Sequence, residues 1–248
     1  MNQLQALIFD VDGTLANTER DGHRVAFNRA FAEQNLDWDW SVEMYGELLE
    51  VAGGKERIKY FLDLYQPNLP KIEDLQQFIV DLHYLKNQHY QQLLQEGAIP
   101  LRPGVKRIIT EAKEQEIKLA IATTSALSNV MVLLEKHLDP NWFEVIAAGD
   151  IVPSKKPAPD IYFYVLQQMN LTANNCLVFE DSYHGLQAAT KANLKTIVTV
   201  NNYTENQNFT FANLVVDHLG EPNKHLEVIQ GAITDIDYIT VDSLQKIL

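Results

Sequence analysis

The sequence predicts an α/β fold, a doubly wound parallel sheet with a block of helices inserted directly after its first strand. Three observations predict it. A short apolar run, Ala6-Leu7-Ile8-Phe9, breaks off into Asp10-Val11-Asp12-Gly13-Thr14. Residues from about 17 to 97 carry helical periodicity and hardly any strand signal. From Pro100 onward, strand-like and helical segments alternate, which is the pattern of βαβ units and a parallel sheet.

The first run suits a buried strand. Asp10 and Asp12 are two residues apart, so their side chains point the same way if the extended geometry persists. Gly13 then lets the backbone turn away. Ligands of open parallel sheets bind just outside the carboxyl ends of the strands, and this pair belongs there. Two carboxylates pressed together repel, which raises one pKa or recruits a cation. Mg²⁺ suits a pair of carboxylates completed by substrate phosphate oxygens. The plainer reading of the motif alone is a polar turn closing a strand, because Asp-Gly marks turns. A calcium loop does not fit, since Leu15 and Asp21 stand where it requires Gly and Glu.

From Asn17 to Gln34 the apolar spacing of His23, Phe27, Ala30 and Phe31 predicts one helix. Ser41 is a candidate N-cap for a second, with Met44, Leu48 and Leu49. After Gly53-Gly54, a third starts at Lys55 and carries Ile58, Phe61, Leu62 and Tyr65. Pro67 and Pro70 bracket a loop, and a longer helix runs from Ile72 through Leu75, Phe78, Ile79, Leu82, Leu93 and Leu94. Beyond Pro100-Leu101-Arg102-Pro103-Gly104, strands are expected at 117–122, 143–148, 176–179, 196–200 and 214–216. Helices lie between them on Val105–Ala112, Leu127–Leu134, the segment after Pro159, and Leu186–Ala192. The expected boundaries are 1–16 plus 98–248 for the sheet domain and 17–97 for the insertion, and the tail beyond about Gly220 carries no clear signal.

Composition narrows the partners. The 248 residues can build one large domain or two modest ones, and 46% apolar with 21% charged residues is ordinary for a soluble protein. A formal charge of −13 argues against nucleic acid, which needs a basic stripe. An anionic ligand must then be met by locally placed Lys, Arg or metal. The lone Cys176 excludes an internal disulfide and reads as an inert buried thiol in a reducing compartment. Polar Asn2, Gln3 and Gln5 precede only a short apolar run, so neither a secretory signal nor a membrane span is expected. The expectation is a cytoplasmic protein, with no membrane partner and no obligate protein partner implied.

Three further strand ends carry polar residues. Thr123-Thr124-Ser125 opens a helix, where hydroxyls and free N–H groups hold phosphate or simply cap the helix. Lys155-Lys156-Pro157-Ala158-Pro159-Asp160 fixes a lysine in a proline-stiffened loop, and Leu177-Val178-Phe179 ends in Glu180-Asp181. Each has a bland reading as cap, loop or solvated charge. Their joint appearance at successive strand ends does not.

Together these four motifs resemble those of the haloacid-dehalogenase superfamily, in the subgroup with a helical cap after the first motif. Thr18-Glu19, Asp21-Gly22-His23-Arg24, Gly53-Gly54-Lys55-Glu56-Arg57, Lys156 to Tyr162, Tyr203-Thr204 and the stretch around Val216-Asp217 resemble the CbbY-type phosphatases of photosynthetic organisms, nearer the plant branch. Thr14-Leu15-Ala16-Asn17 departs from that branch's pattern.

The resemblance implies a Rossmann-like core whose cap selects the substrate. Asp10 would be the nucleophile, forming an aspartyl-phosphate, and Asp12 the general acid and base. Asp10, the Asp12 carbonyl and Asp181 would hold Mg²⁺, with Glu180 as a further ligand or beside them. Thr123 and Lys156 would neutralise the phosphoryl oxygens, with Thr124 and Ser125 close by. The implied substrate is a small phosphorylated sugar, xylulose 1,5-bisphosphate, a misfire product that inhibits Rubisco. Lys55 and Arg57 are candidates for its second phosphate, Glu19 and His23 for its hydroxyls. The plainer readings are that the two cations decorate a helix surface and that His23 is a satisfied buried histidine. Gly53-Gly54-Lys55 is not a P-loop, because Glu56 stands where Ser or Thr is needed. A β-phosphoglucomutase-like mutase and a phosphoglycolate phosphatase use the same core motifs and stay open. A non-catalytic phosphosugar-binding module predicts a lost nucleophile or acid, and both aspartates are present. A dinucleotide-binding dehydrogenase lacks its glycine fingerprint.

Overall fold

The computed structural model describes residues 3–51, 53–231 and 233–248. The chain divides into two compact units, Met1–Asn17 with Pro100–Leu248, and Thr18–Ile99.

The first unit is built on a seven-stranded sheet: β1 (Ala6–Phe9), β2 (Lys118–Ala122), β3 (Phe143–Ala147), β4 (Cys176–Glu180), β5 (Lys195–Thr199), β6 (Leu214–Val216) and β7 (Val228–Gly231). Their spatial order is β3-β2-β1-β4-β5-β6-β7, parallel throughout except for antiparallel β7. The order of the first six is that of a doubly wound Rossmann-like sheet, whose crevice opens where the winding reverses, between β1 and β4. Every residue of β1 is fully buried, because helices cover both faces of a parallel sheet. Phe9 pairs in register with Ile121 on one side and Phe179 on the other, and the two phenyl rings stack at 4.6 Å.

Four of the unit's helices fall where the apolar spacing puts them: Val105–Glu114, Leu127–His137, Asp160–Met169 and Tyr183–Lys191. The alanine-rich side of the sheet packs Ile8, Ala120 and Val178 against Tyr162, Val165 and Ala188. Cys176 is buried, and burial pushes its thiol up to about 12, as an inert thiol requires. The tail, unread in the sequence, forms β7 and a last helix, Val241–Ile247, opened by a capping box between Thr240 and Ser243.

The second unit is helical: α1 (Arg24–Glu33), α2 (Val42–Leu48), α3 (Gly54–Tyr65) and α4 (Leu75–Glu96). Ser41 caps α2 as expected, its Oγ accepting from Met44 N at 3.1 Å. The longest helix starts later than Ile72, because Asp74 is the residue whose side chain accepts from Gln77 N. The single helix expected from Asn17 to Gln34 is also divided. Thr18–His23 is a π-helical turn, within which Gly22 lies so close to Tyr90 and Ile99 that a Cβ would overlap both. The core is aromatic: the fully buried Trp40 ring meets Phe27 at 4.5 Å, Phe31 at 4.9 Å and Phe61 at 5.3 Å. Asn28 holds Trp40 in place, accepting from its N–H at 2.9 Å and donating to its carbonyl at 3.0 Å. Among the described residues no helix is long and apolar enough to cross a membrane.

Candidate active site

The ends of β1, β2 and β4 deliver the polar groups to one place. Asp10 continues the ladder one residue past β1, its N–H donating to Phe179 O at 3.0 Å. The backbone then turns tightly, with Thr14 and Leu15 N–H both donating to Val11 O. Gly13 makes the turn with φ +83°, and a Cβ on it would overlap the Asp181 carboxylate. Asp181 can lie against this turn only because that side chain is absent.

Lys156 is the centre of the cluster. Its ammonium donates to Asp10 Oδ1 at 2.7 Å, Glu180 Oε1 at 2.6 Å and Ala122 O at 2.8 Å, tying three strand ends with one group. Tyr162 donates to the same Glu180 oxygen at 2.5 Å. Gly185, in the first turn of the helix after β4, lies so close to Glu180 that a Cβ there would coincide with the carboxylate. Glu180 is thus fixed from three sides.

The acids outnumber the bases. Burial pushes the Asp10 carboxyl well above its ordinary value against the pull of Lys156, and Glu180, Asp181 and Asp12 push the same way. Asp181 is raised to about 7, by burial first and Glu180 second, with Asn201, Arg102 and Lys156 opposing. Burial alone would lower the Lys156 pKa. The Asp10 and Glu180 carboxylates outweigh it and hold the ammonium charged.

Asp10, Glu180 and Asp181 each offer an oxygen, all within 4.8 Å of one another. Three buried carboxylates around one ammonium leave an unbalanced negative charge, and a donor set of oxygens alone suits a hard divalent cation. The residues therefore fit a metal. Asp12 lies outside that carboxylate cluster. Its expected contribution is a main-chain carbonyl, and its Oδ2 instead accepts from Ser125 Oγ.

Thr123 is buried, and its Oγ1 accepts from Ser125 N at 3.2 Å, so the hydroxyl cluster forms a local turn facing Asp12 through Ser125. Thr124 is exposed. The Thr14 and Asn17 positions, where the sequence departs from the plant pattern, carry buried side-chain oxygens with no hydrogen-bond partner among the described residues.

In the helical unit, Glu19 and Arg57 meet through a residue the sequence reading missed. Tyr45 OH donates to Glu19 Oε2 at 2.6 Å and accepts from Arg57 Nη1 at 2.9 Å. Arg57 is buried, donating also to Leu48 O at 3.1 Å and Val51 O at 3.3 Å. Lys55 stays exposed at the start of α3. His23 stacks on Tyr90 with ring centroids 3.8 Å apart, and its Nδ1 lies 2.9 Å from Lys86 Nζ. Lys86 was also missed. It is 5% exposed, sits over the Phe27 and Tyr90 rings, and is lowered to about 8, chiefly by burial. Its signal was in the sequence: a lysine between Leu82 and Tyr90, on the apolar stripe of α4.

The model of the haloacid dehalogenase-like hydrolases matches residues 7–199. The chain is 45% identical over 222 residues to the plasmid-encoded protein CbbY of Cupriavidus necator, covering 88% of this chain and 87% of that one. The crystal structure of CbbY from Rhodobacter sphaeroides in complex with phosphate superposes with a TM-score of 0.70 at 42% identity, covering 87% of this chain and 95% of that one. A mutant of that protein in complex with xylulose 1,5-bisphosphate gives a TM-score of 0.69 at the same identity and coverage. With its paired-aspartate turn, bridging lysine and acidic pair, this chain belongs to the haloacid dehalogenase-like hydrolase family, among its CbbY-type members.

Proposed function

We propose that the protein is a Mg²⁺-dependent sugar-phosphate phosphatase that hydrolyses xylulose 1,5-bisphosphate to xylulose 5-phosphate. The observation that carries the reading is Asp10 held by Lys156 beside Glu180 and Asp181, a carboxylate fixed next to cation sites at a strand end. The relative bound to xylulose 1,5-bisphosphate supports the substrate.

Asp10 attacks phosphorus, forming an aspartyl-phosphate and breaking the bond to the sugar oxygen. Asp12 gives that oxygen its proton, then takes one from the water that attacks the phosphoenzyme. Ser125 aims the Asp12 carboxylate throughout, by donating to its Oδ2. Lys156 keeps its charge against Asp10 and neutralises the phosphoryl oxygens as they pass through the transition state, with the Thr123 hydroxyl beside it. Asp10, Glu180, Asp181 and the Asp12 carbonyl would hold Mg²⁺, which would supply charge neutralisation at the phosphoryl group. Residues 17–97 act as the cap that selects the sugar. Glu19, His23, Lys55 and Arg57 serve there, joined by Tyr45 and Lys86, which hold Arg57 and His23. The setting is cytoplasmic, in keeping with a buried, unbridged Cys176.

The test is phosphate release, with Mg²⁺, from a panel of mono- and bisphosphorylated sugars. Fast turnover of xylulose 1,5-bisphosphate is expected, with weak activity on monophosphates and none in Asp10→Asn or after chelation. Slow, flat activity would remove the assigned substrate. Conversion of a monophosphate to its isomer without phosphate release would make the protein a mutase.

A further inference from the structure

The turn after β5 contains none of the four strand-end motifs, yet it reaches the acidic cluster. Asn201 Nδ2 donates to Asp181 Oδ2 at 2.8 Å. The orientation of this amide is fixed by its other end, because Asn201 Oδ1 accepts from Tyr203 N–H at 2.9 Å. Only a hydrogen-bond donor is then left for Asp181. The turn is closed on itself: Asn201 N donates to Thr204 Oγ1 at 3.0 Å, and Thr204 N donates to Asn201 O at 3.0 Å. Tyr203-Thr204, marked in the sequence without a role, thus holds the asparagine.

Arg102 holds the same turn from beneath. It is buried, and its guanidinium donates to Thr199 O at 2.9 Å, Val200 O at 2.5 Å and Asp217 O at 2.6 Å. It also donates to Gly13 O. Gly13 in turn packs so closely on both Asp181 and Asn201 that a Cβ would overlap the two side chains. One arginine therefore fixes both the turn that carries Asn201 and the turn that carries Asp12.

A carboxylate at a strand end rotates about its last torsion unless something stops it. One N–H donor on Oδ2 stops that rotation and leaves Oδ1, which takes no hydrogen bond among the described residues, as the free oxygen. Groups that orient a metal ligand in this way typically change metal affinity by 10–100-fold when removed.

Resting on the reading of Asp10, Glu180 and Asp181 as a metal cluster, we propose that Asn201 is a positioning residue. Its amide, framed by Thr204 and Arg102, sets the Asp181 carboxylate so that Oδ1 is presented to a divalent cation.

The test is direct binding of Mn²⁺ to the full chain, followed by the resonance of free Mn²⁺ and requiring no turnover. Wild type should bind, and Asp181→Asn marks the loss of one ligand. In Asn201→Ala the dissociation constant should rise about tenfold, with circular dichroism unchanged. Thr204→Val should weaken binding less, and Thr204→Ser, which keeps the Oγ acceptor, should return it to the wild-type value. Should Asn201→Ala fail to fold, this threonine pair decides. Wild-type affinity in folded Asn201→Ala, or equal affinity in Thr204→Val and Thr204→Ser, would overturn the proposal and leave the metal cluster standing. No Mn²⁺ binding by wild type would remove the metal reading, and the proposal with it.

Discussion

The two units each bury a lysine, and the two lysines are driven in opposite directions. Lys156, in the sheet unit, has Asp10 and Glu180 within 2.7 Å and is held well above its ordinary pKa. Lys86, in the helical unit, has a histidine nitrogen and two aromatic rings for company and falls to about 8. Burial lowers both. What differs is whether a carboxylate touches the ammonium, since the Coulomb gain at contact in a low-dielectric interior exceeds the desolvation cost only when the geometry is close. One lysine is locked in its charged form, which suits the phosphoryl contact proposed for it. The other gives up its proton at about pH 8.

The sharpest way to break this contrast is Lys156→Met. Removing the ammonium leaves the buried Asp10 and Glu180 without a counter-charge at that point, so phosphate release should fall by about a thousandfold or more. A loss below about tenfold would mean that Lys156 is merely a structural counter-ion.

Lys86 tests the other side through stability. Its folded pKa lies below the unfolded value of 10.5, so between about 8 and 10.5 the unfolded chain holds the proton that the folded chain has released. Stability from this group is therefore missing below pH 8 and grows as pH rises through that window. The gain is on the order of 3 kcal/mol. In Lys86→Met the rise should vanish, and stability at pH 7 should increase. An unaltered pH profile in denaturant titrations would show that Lys86 is not desolvated as described.

Arg57 sharpens the comparison at smaller scale. Its guanidinium already serves Tyr45, Leu48 and Val51, so Arg57→Ala removes both a cap strut and a candidate phosphate contact. KM for xylulose 1,5-bisphosphate should rise about tenfold, a single charge-assisted contact, with a smaller change in kcat. Unchanged KM would confine Arg57 to holding the helical unit together. Thr124→Ala, at an exposed position, should stay within about twofold on both parameters.

Much of the site was legible because its chemistry is concentrated at strand ends. Asp10, Glu180 and Asp181 each follow a short apolar run, Lys156 stands in a proline-marked loop, and the doubly wound order places the strand ends side by side. The residues that were missed act from places without local meaning. Tyr45 sits in mid-helix, Lys86 on an apolar stripe, and Arg102 just after the helical insertion, and each acquires a role only through a partner distant in the chain. The tail was hidden for a different reason. β7 is mostly exposed, with Ile229 54% accessible, so no buried face imposes an alternating pattern. The last helix opens on Thr240 with Ser243 at the third position, where the recognisable box has Glu or Gln.

The sequence by itself determined the alternation of strands and helices, the helical insertion after β1, and which polar residues stand as candidates at the strand ends. Hydrophobic periodicity and the residue types that chemistry requires are local properties. Tertiary structure alone decided which charges touch. It brought Lys156 onto two carboxylates, set Lys86 against a histidine nitrogen and two aromatic rings, and set Asn201 against Asp181 through a gap left open by Gly13. Electrostatic energies depend on distances of a few ångströms between groups far apart in the chain, and no pattern in the sequence carries those distances.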